Sequence, residues 1–198
     1  MGQKQSLSDS LHRYVYNHDK EGVAQFLQTH ESDMKPGRLE DKVFVELILQ
    51  QWDSDTVLRF AEAATDDQLA VLVATAVLQN HVVPLAPLFE RMENRERVIE
   101  QHHLKHLFLT ACERENIDAV RVFITNKTYD PSDRRPLRAV VRAQLVKSVV
   151  NEELLKMVMS THPHQADNVE YIRKHCLSDA KSEEVRKIVE DRLFNYIP

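Results

Sequence analysis

The sequence predicts an all-α chain, a solenoid of about six stacked helical hairpins. Three observations carry that prediction. Only three glycines occur among 198 residues, whereas a β-rich chain needs glycine at its hairpin turns and bulges. Apolar anchors recur at Val23, Val57, Leu85, Val120, Leu154 and Val185, separated by 34, 28, 35, 34 and 31 residues. A residue suited to cap a helix N-terminus stands three to five positions before each anchor.

Each unit follows one pattern. The anchor and the residues three and four beyond it share one face of a helix, so they mark the inward side of a second helix, B. A residue nine before the anchor, in most units joined by one thirteen before it, marks the inward face of a preceding helix, A. The first unit, near 7–36, carries Tyr14, the cap Asp19, Val23, Phe26 and Leu27, and closes on Pro36 and Gly37. The second, near 41–66, carries Phe44, Ile48, the cap Asp53, Val57, Phe60 and Ala61. The third, near 69–95, carries Leu72, Ala76, the cap Asn80, Leu85, Leu88 and Phe89. It is the irregular one, because Pro84 suits a first helical position while Pro87 should distort the helix that follows.

The fourth unit, near 104–131, carries Leu107, Ala111, the cap Asn116, Val120, Phe123 and Ile124, and ends at Pro131. In the fifth, near 137–163, Val141 and Leu145 precede the cap Asn151, Leu154, Met157 and Val158, with Pro163 beyond. The sixth, near 168–196, carries Ile172, Cys176, the cap Ser182, Val185, Ile188 and Val189, and its charged outer positions suit a terminal cap. Two short helices cannot bury their apolar faces alone, so such units are stable only when stacked, and residues 1–198 read as one helical-repeat domain.

The run from Leu109 to Ile124 resembles the two-helix core of an ankyrin repeat. Ala111 and Cys112 stand where that family places two small residues, Ala119 with Val120 and Phe123 with Ile124 stand at its paired apolar positions, and Tyr129 to Ser132 resembles the loop that follows. The resemblance implies a partner-binding module with no cofactor. The chain departs from the family in lacking its Thr-Pro-Leu-His tetrapeptide. It also lacks the inter-helix glycine, whose place is taken by His18, Trp52, Asn80, Glu115, Val149 and Ala180.

The net charge of −5 supplies no global positive field to draw in nucleic acid. Cys112 and Cys176 are too few for a disulfide framework or a thiolate zinc site, which suits a reducing, cytoplasmic setting. No run of apolar residues is long enough to cross a bilayer.

A protein partner is the first expectation for binding, with the groove and a basic run, Arg134, Arg135, Arg138, Arg142 and Lys147, as the contact surface. Pro136 opens a helix there, so Arg138 and Arg142 share a face and present guanidinium forks suited to carboxylate or phosphate. The alternative is a membrane-directed adaptor. Met1 to Ser6 fits the pattern for N-myristoylation on Gly2, and the same arginines would read acidic lipid headgroups. Opposite in sign, residues 31–70 hold ten acids against four bases.

Other reactive side chains have quieter readings. His102 and His106 have the i, i+4 spacing of a metal pair, but no pattern fixes further ligands, so His102, His103, His106, His162 and His164 read as surface histidines. Cys112 and Cys176 read as small buried hydrophobes. Trp52, just before a cap, reads as the cover of a helix end rather than a binding anchor. No phosphate loop, nucleophile elbow or metalloprotease helix is present, and the chain is read as no enzyme.

Overall fold

The computed structural model describes residues 7–81, 85–147, 151–162 and 165–177, together with Glu183, Arg186, Lys187, Glu190 and Asp191. Among the described residues there are twelve α-helices and no strand. They fall into two compact units, Met1–Leu104 and Lys105–Pro198.

In the first unit, α1 (Leu7–Tyr16) and α2 (Lys20–Thr29) form one hairpin, α3 (Asp41–Leu49) and α4 (Ser54–Ala61) a second, and α5 (Asp66–Gln79) and α6 (Leu85–Arg91) a third. The A helices stack directly, α1 on α3 and α3 on α5, while α4 meets α6 in the B layer. In the second unit α8 (Lys105–Glu113) pairs with α9 (Ile117–Thr125), and α10 (Arg135–Lys147) with α11 (Glu152–Ser160). There α8 packs on α10 and α10 on α12 (Gln165–His175), while α9 packs on α11.

The periodic apolar positions supply the core. Val57, Val120 and Leu154 are fully enclosed, as are Phe44, Phe60, Phe89 and Phe123. Asp19, Asp53, Asn116 and Asn151 cap their B helices as the spacing predicts, each accepting from the amide three residues on. Cap Ser182 and anchor Val185 lie outside the described residues.

Several expectations are corrected. Asn80 does not cap a B helix; it ends α5 in the left-handed conformation. Pro87 does not distort α6, because that helix begins at Leu85 and places Pro87 in the first turn, where a backbone N–H has no intrahelical acceptor. In the fourth unit Phe108, rather than the half-buried Leu107, joins Ala111 and Cys112 in the core face of α8. An additional helix, α7 (Arg95–Gln101), lies beyond the third hairpin and packs on α5. Asp66 ties its start to that of α5 by accepting the amides of Glu93 and Asn94 at 3.0 and 2.9 Å. Burial works against the Asp66 charge, but these donors hold its carboxyl below the usual range.

Six helices end in one turn geometry. His18, Gln51, Asn80, His103, Glu115 and Lys127 all have φ between 51° and 54°. In each, the amide of that residue bonds the carbonyl three back and the next amide bonds the carbonyl five back, as in His18 to Val15 and Asp19 to Tyr14. This is the double-bonded helix stop that glycine normally completes, and none of the six is glycine. Between helices A and B the left-handed residue is Gln51 rather than Trp52, so the second unit is offset by one from the expected position. Equivalent positions at Val149 and Ala180 lie outside the described residues.

Candidate functional site

Among the described residues, the large apolar side chains most exposed to solvent share one structural position. Tyr16, Leu49, Leu78 and Val146 are 59%, 46%, 46% and 54% exposed. Each stands near the C-terminal end of an A helix, and the first three lie two residues before the left-handed residues His18, Gln51 and Asn80. In the first unit the stacking of α1, α3 and α5 therefore makes a ladder of Tyr16, Leu49 and Leu78.

One contact holds the first two of these helix ends level, and a cavity separates the second from the third. The Trp52 indole N–H donates to the Val15 carbonyl at 3.1 Å, joining the ends of α3 and α1. A cavity of about 510 Å³ opens between the ends of α3 and α5, with Leu49 and Gln79 on its walls. Asp53 is the single charged side chain lining it among the described residues. The Thr56 amide at 2.9 Å and hydroxyl at 3.0 Å bind the Asp53 carboxylate and hold its pKa below the usual range. His81 closes the cavity; its Nδ1 is buried without a hydrogen-bond partner among the described residues, and burial lowers its pKa, favouring the neutral ring.

Sequence reasoning missed this ladder, although its signal was present. Tyr16, Leu49, Leu78 and Val146 stand seven or eight residues before the anchors Val23, Val57, Leu85 and Leu154. An apolar residue recurring where a hairpin should turn polar was the clue.

The basic run of the second unit is not one uniform open stripe. Arg135 is exposed and clasps Asp133 with contacts of 2.7 to 3.1 Å, which lowers the Asp133 pKa and raises its own. Lys147 pairs with Glu115. Arg134 lies over the Tyr171 ring, 5.4 Å from its centroid. Arg138 is half-buried rather than outward, and its Nε is enclosed without a partner among the described residues. Arg142 is exposed on α10. Gly2 lies outside the described residues.

Trp52 is 2% exposed, which fits a helix cover and not an anchor. His102 ends α7 and bonds Asp67 at 2.9 Å, while His106 belongs to α8 and His103 turns left-handed between them, so the pair has no common helical face. His162 is buried, not superficial, with Nδ1 2.9 Å from the Pro131 carbonyl; His164 lies outside the described residues. Cys112 and Cys176 are buried and form no disulfide, and burial pushes the Cys112 pKa far up, away from reactivity. Among the described residues no group of three or more His, Cys, Asp or Glu could hold a metal, and no helix is long and apolar enough to cross a membrane. No protein-family model, no curated protein and no solved structure matches this chain.

Proposed function

We propose that this chain is a non-catalytic adaptor of the cytoplasm, an ankyrin-like solenoid of helical hairpins that binds a protein partner through surface side chains. One observation carries the reading: the apolar residues Tyr16, Leu49 and Leu78, exposed at one register position on stacked helices. Scattered surface hydrophobes need no explanation, but repetition at one register position on stacked helices points to an interaction surface. The left-handed residues His18, Asn80 and Glu115 support the ankyrin-like part, because they hold the conformation that the family assigns to glycine.

The test compares wild-type protein with Leu49→Ser combined with Leu78→Ser in a crosslinking pull-down from cell lysate. Both side chains are half exposed, so the variant should fold, as circular dichroism would verify. Loss of the wild-type partner set supports the reading; an unchanged set overturns it.

A membrane-directed adaptor is the second reading, favoured by the exposed guanidinium of Arg142 and by the myristoylation pattern at Gly2. One acyl chain binds a bilayer only marginally, so the arginines would have to add the second attraction. Binding to acidic liposomes that falls with salt, and myristate labelling lost in Gly2→Ala, would favour this reading over the first.

A further inference from the structure

The partner-binding reading leaves the chemistry of the partner open, and the ladder restricts it. Packed helices lie about 8–10 Å apart, so Tyr16, Leu49 and Leu78 on α1, α3 and α5 form rungs at about that spacing. A ligand crossing the three helix ends must present side chains on one face at the same interval.

An α-helix does so every seven residues, which advance it about 10.5 Å and return each side chain to nearly the same face. An extended strand covers the distance in about three residues, but its side chains alternate, so successive rungs would meet opposite faces. A polyproline helix has a suitable repeat, yet its ligands dock in aromatic grooves. Here only Tyr16 is aromatic, and Leu49 and Leu78 suit the aliphatic face of a helix.

Charge supplies the second restriction. Among the described residues, the cavity beside Leu49 has Asp53 as its single charged lining residue. A carboxylate suits a side chain that donates hydrogen bonds and carries positive charge. Asp55 adds a second exposed acid in the first turn of α4.

We infer that the Tyr16, Leu49 and Leu78 ladder docks an amphipathic helix of a partner protein, with apolar side chains seven residues apart and a lysine or arginine placed in the cavity beside Leu49. This rests on the partner-binding reading and deepens it.

The experiment titrates full-length protein into three fluorescein-labelled peptides and follows anisotropy. One is a helical peptide with leucines at seven-residue spacing flanked by lysines, one replaces the lysines by glutamates, and one is proline-rich and equally basic. Binding of the lysine peptide at least about tenfold tighter than either other is expected. Leu49→Ser should weaken it by about tenfold. Asp53→Asn, which keeps a competent helix cap, should reduce the preference for lysine over glutamate. Equal affinity for the glutamate or proline-rich peptide, no binding, or indifference to Leu49→Ser would overturn the inference. If lysate capture depends on Leu49 and Leu78 while the lysine peptide fails to bind, the partner-binding reading survives and the basic helix is wrong. If capture is also unaffected, both fall.

Discussion

The Trp52 indole N–H and the Val15 carbonyl meet at 3.1 Å although 37 residues separate them. The same carbonyl accepts the His18 amide, and the His18 ring lies tilted against the indole with centroids 4.7 Å apart. One side chain from the second hairpin thus completes the helix stop of the first. This sets the ends of α1 and α3, and with them Tyr16 and Leu49, at one level.

Trp52→Phe keeps much of the ring contact and loses the donor. The Val15 carbonyl remains bonded by His18, so the loss should be about 1 kcal/mol. Trp52→Ala also removes the enclosed ring and should cost about 3–5 kcal/mol. Urea denaturation measures both, and an alanine variant as stable as wild type would contradict the described packing.

Gln51 is exposed and left-handed at φ 53°, a conformation that costs an L-residue about 1–2 kcal/mol relative to the right-handed form. Gln51→Gly should stabilise the protein by about 0.5–1 kcal/mol after the added entropy of the unfolded chain. Glycine one position earlier, Gln50→Gly, has no such strain to relieve and should not stabilise. A loss of stability in Gln51→Gly would contradict the assigned turn.

Phe123 is fully buried in α9, with the Phe108 ring edge-on at 6.4 Å between centroids. Phe123→Ala should cost about 3–5 kcal/mol through lost burial and a residual cavity. A melting temperature unchanged within error would refute the repeat register.

His81 is held below its usual pKa of 6.5 by burial. Above pH 6.5 the ring is neutral whether the chain is folded or not. Below it, the unfolded chain takes up a proton that the folded protein resists, so stability falls as pH drops from 6.5 through the folded value. His81→Gln should remove that component of the slope, read as the difference between two urea series from pH 7.5 to 5. Parallel pH profiles for the two proteins would contradict the buried ring.

What could be read from the sequence follows from how each feature is encoded. Val57, Val120 and Leu154 were legible because burial on a helix imposes a period, and Asp53 and Asn116 because a cap needs a short acceptor at a fixed offset. The helix α7 escaped because its seven residues, with Val98 and Ile99 adjacent, are too short to show a period. The turn at Glu115 was placed only through the ankyrin resemblance and that at Gln51 was missed by one residue, because their direct signal, glycine, is missing. The ladder escaped for another reason. Leu49 and Leu78 look like ordinary core leucines in one dimension, and only the stacking of helix ends leaves them outside together.

The central claim, that the helix ends carrying Leu49 and Leu78 contact a partner, is tested most directly by site-specific photocrosslinking. A benzophenone amino acid would replace Leu49, Leu78 or, as control, Glu90, which is exposed on α6 in the B layer. The account predicts the same discrete higher-mass adduct from positions 49 and 78 and none from position 90. Adduct from position 90 alone, or no adduct from positions 49 and 78, would contradict it.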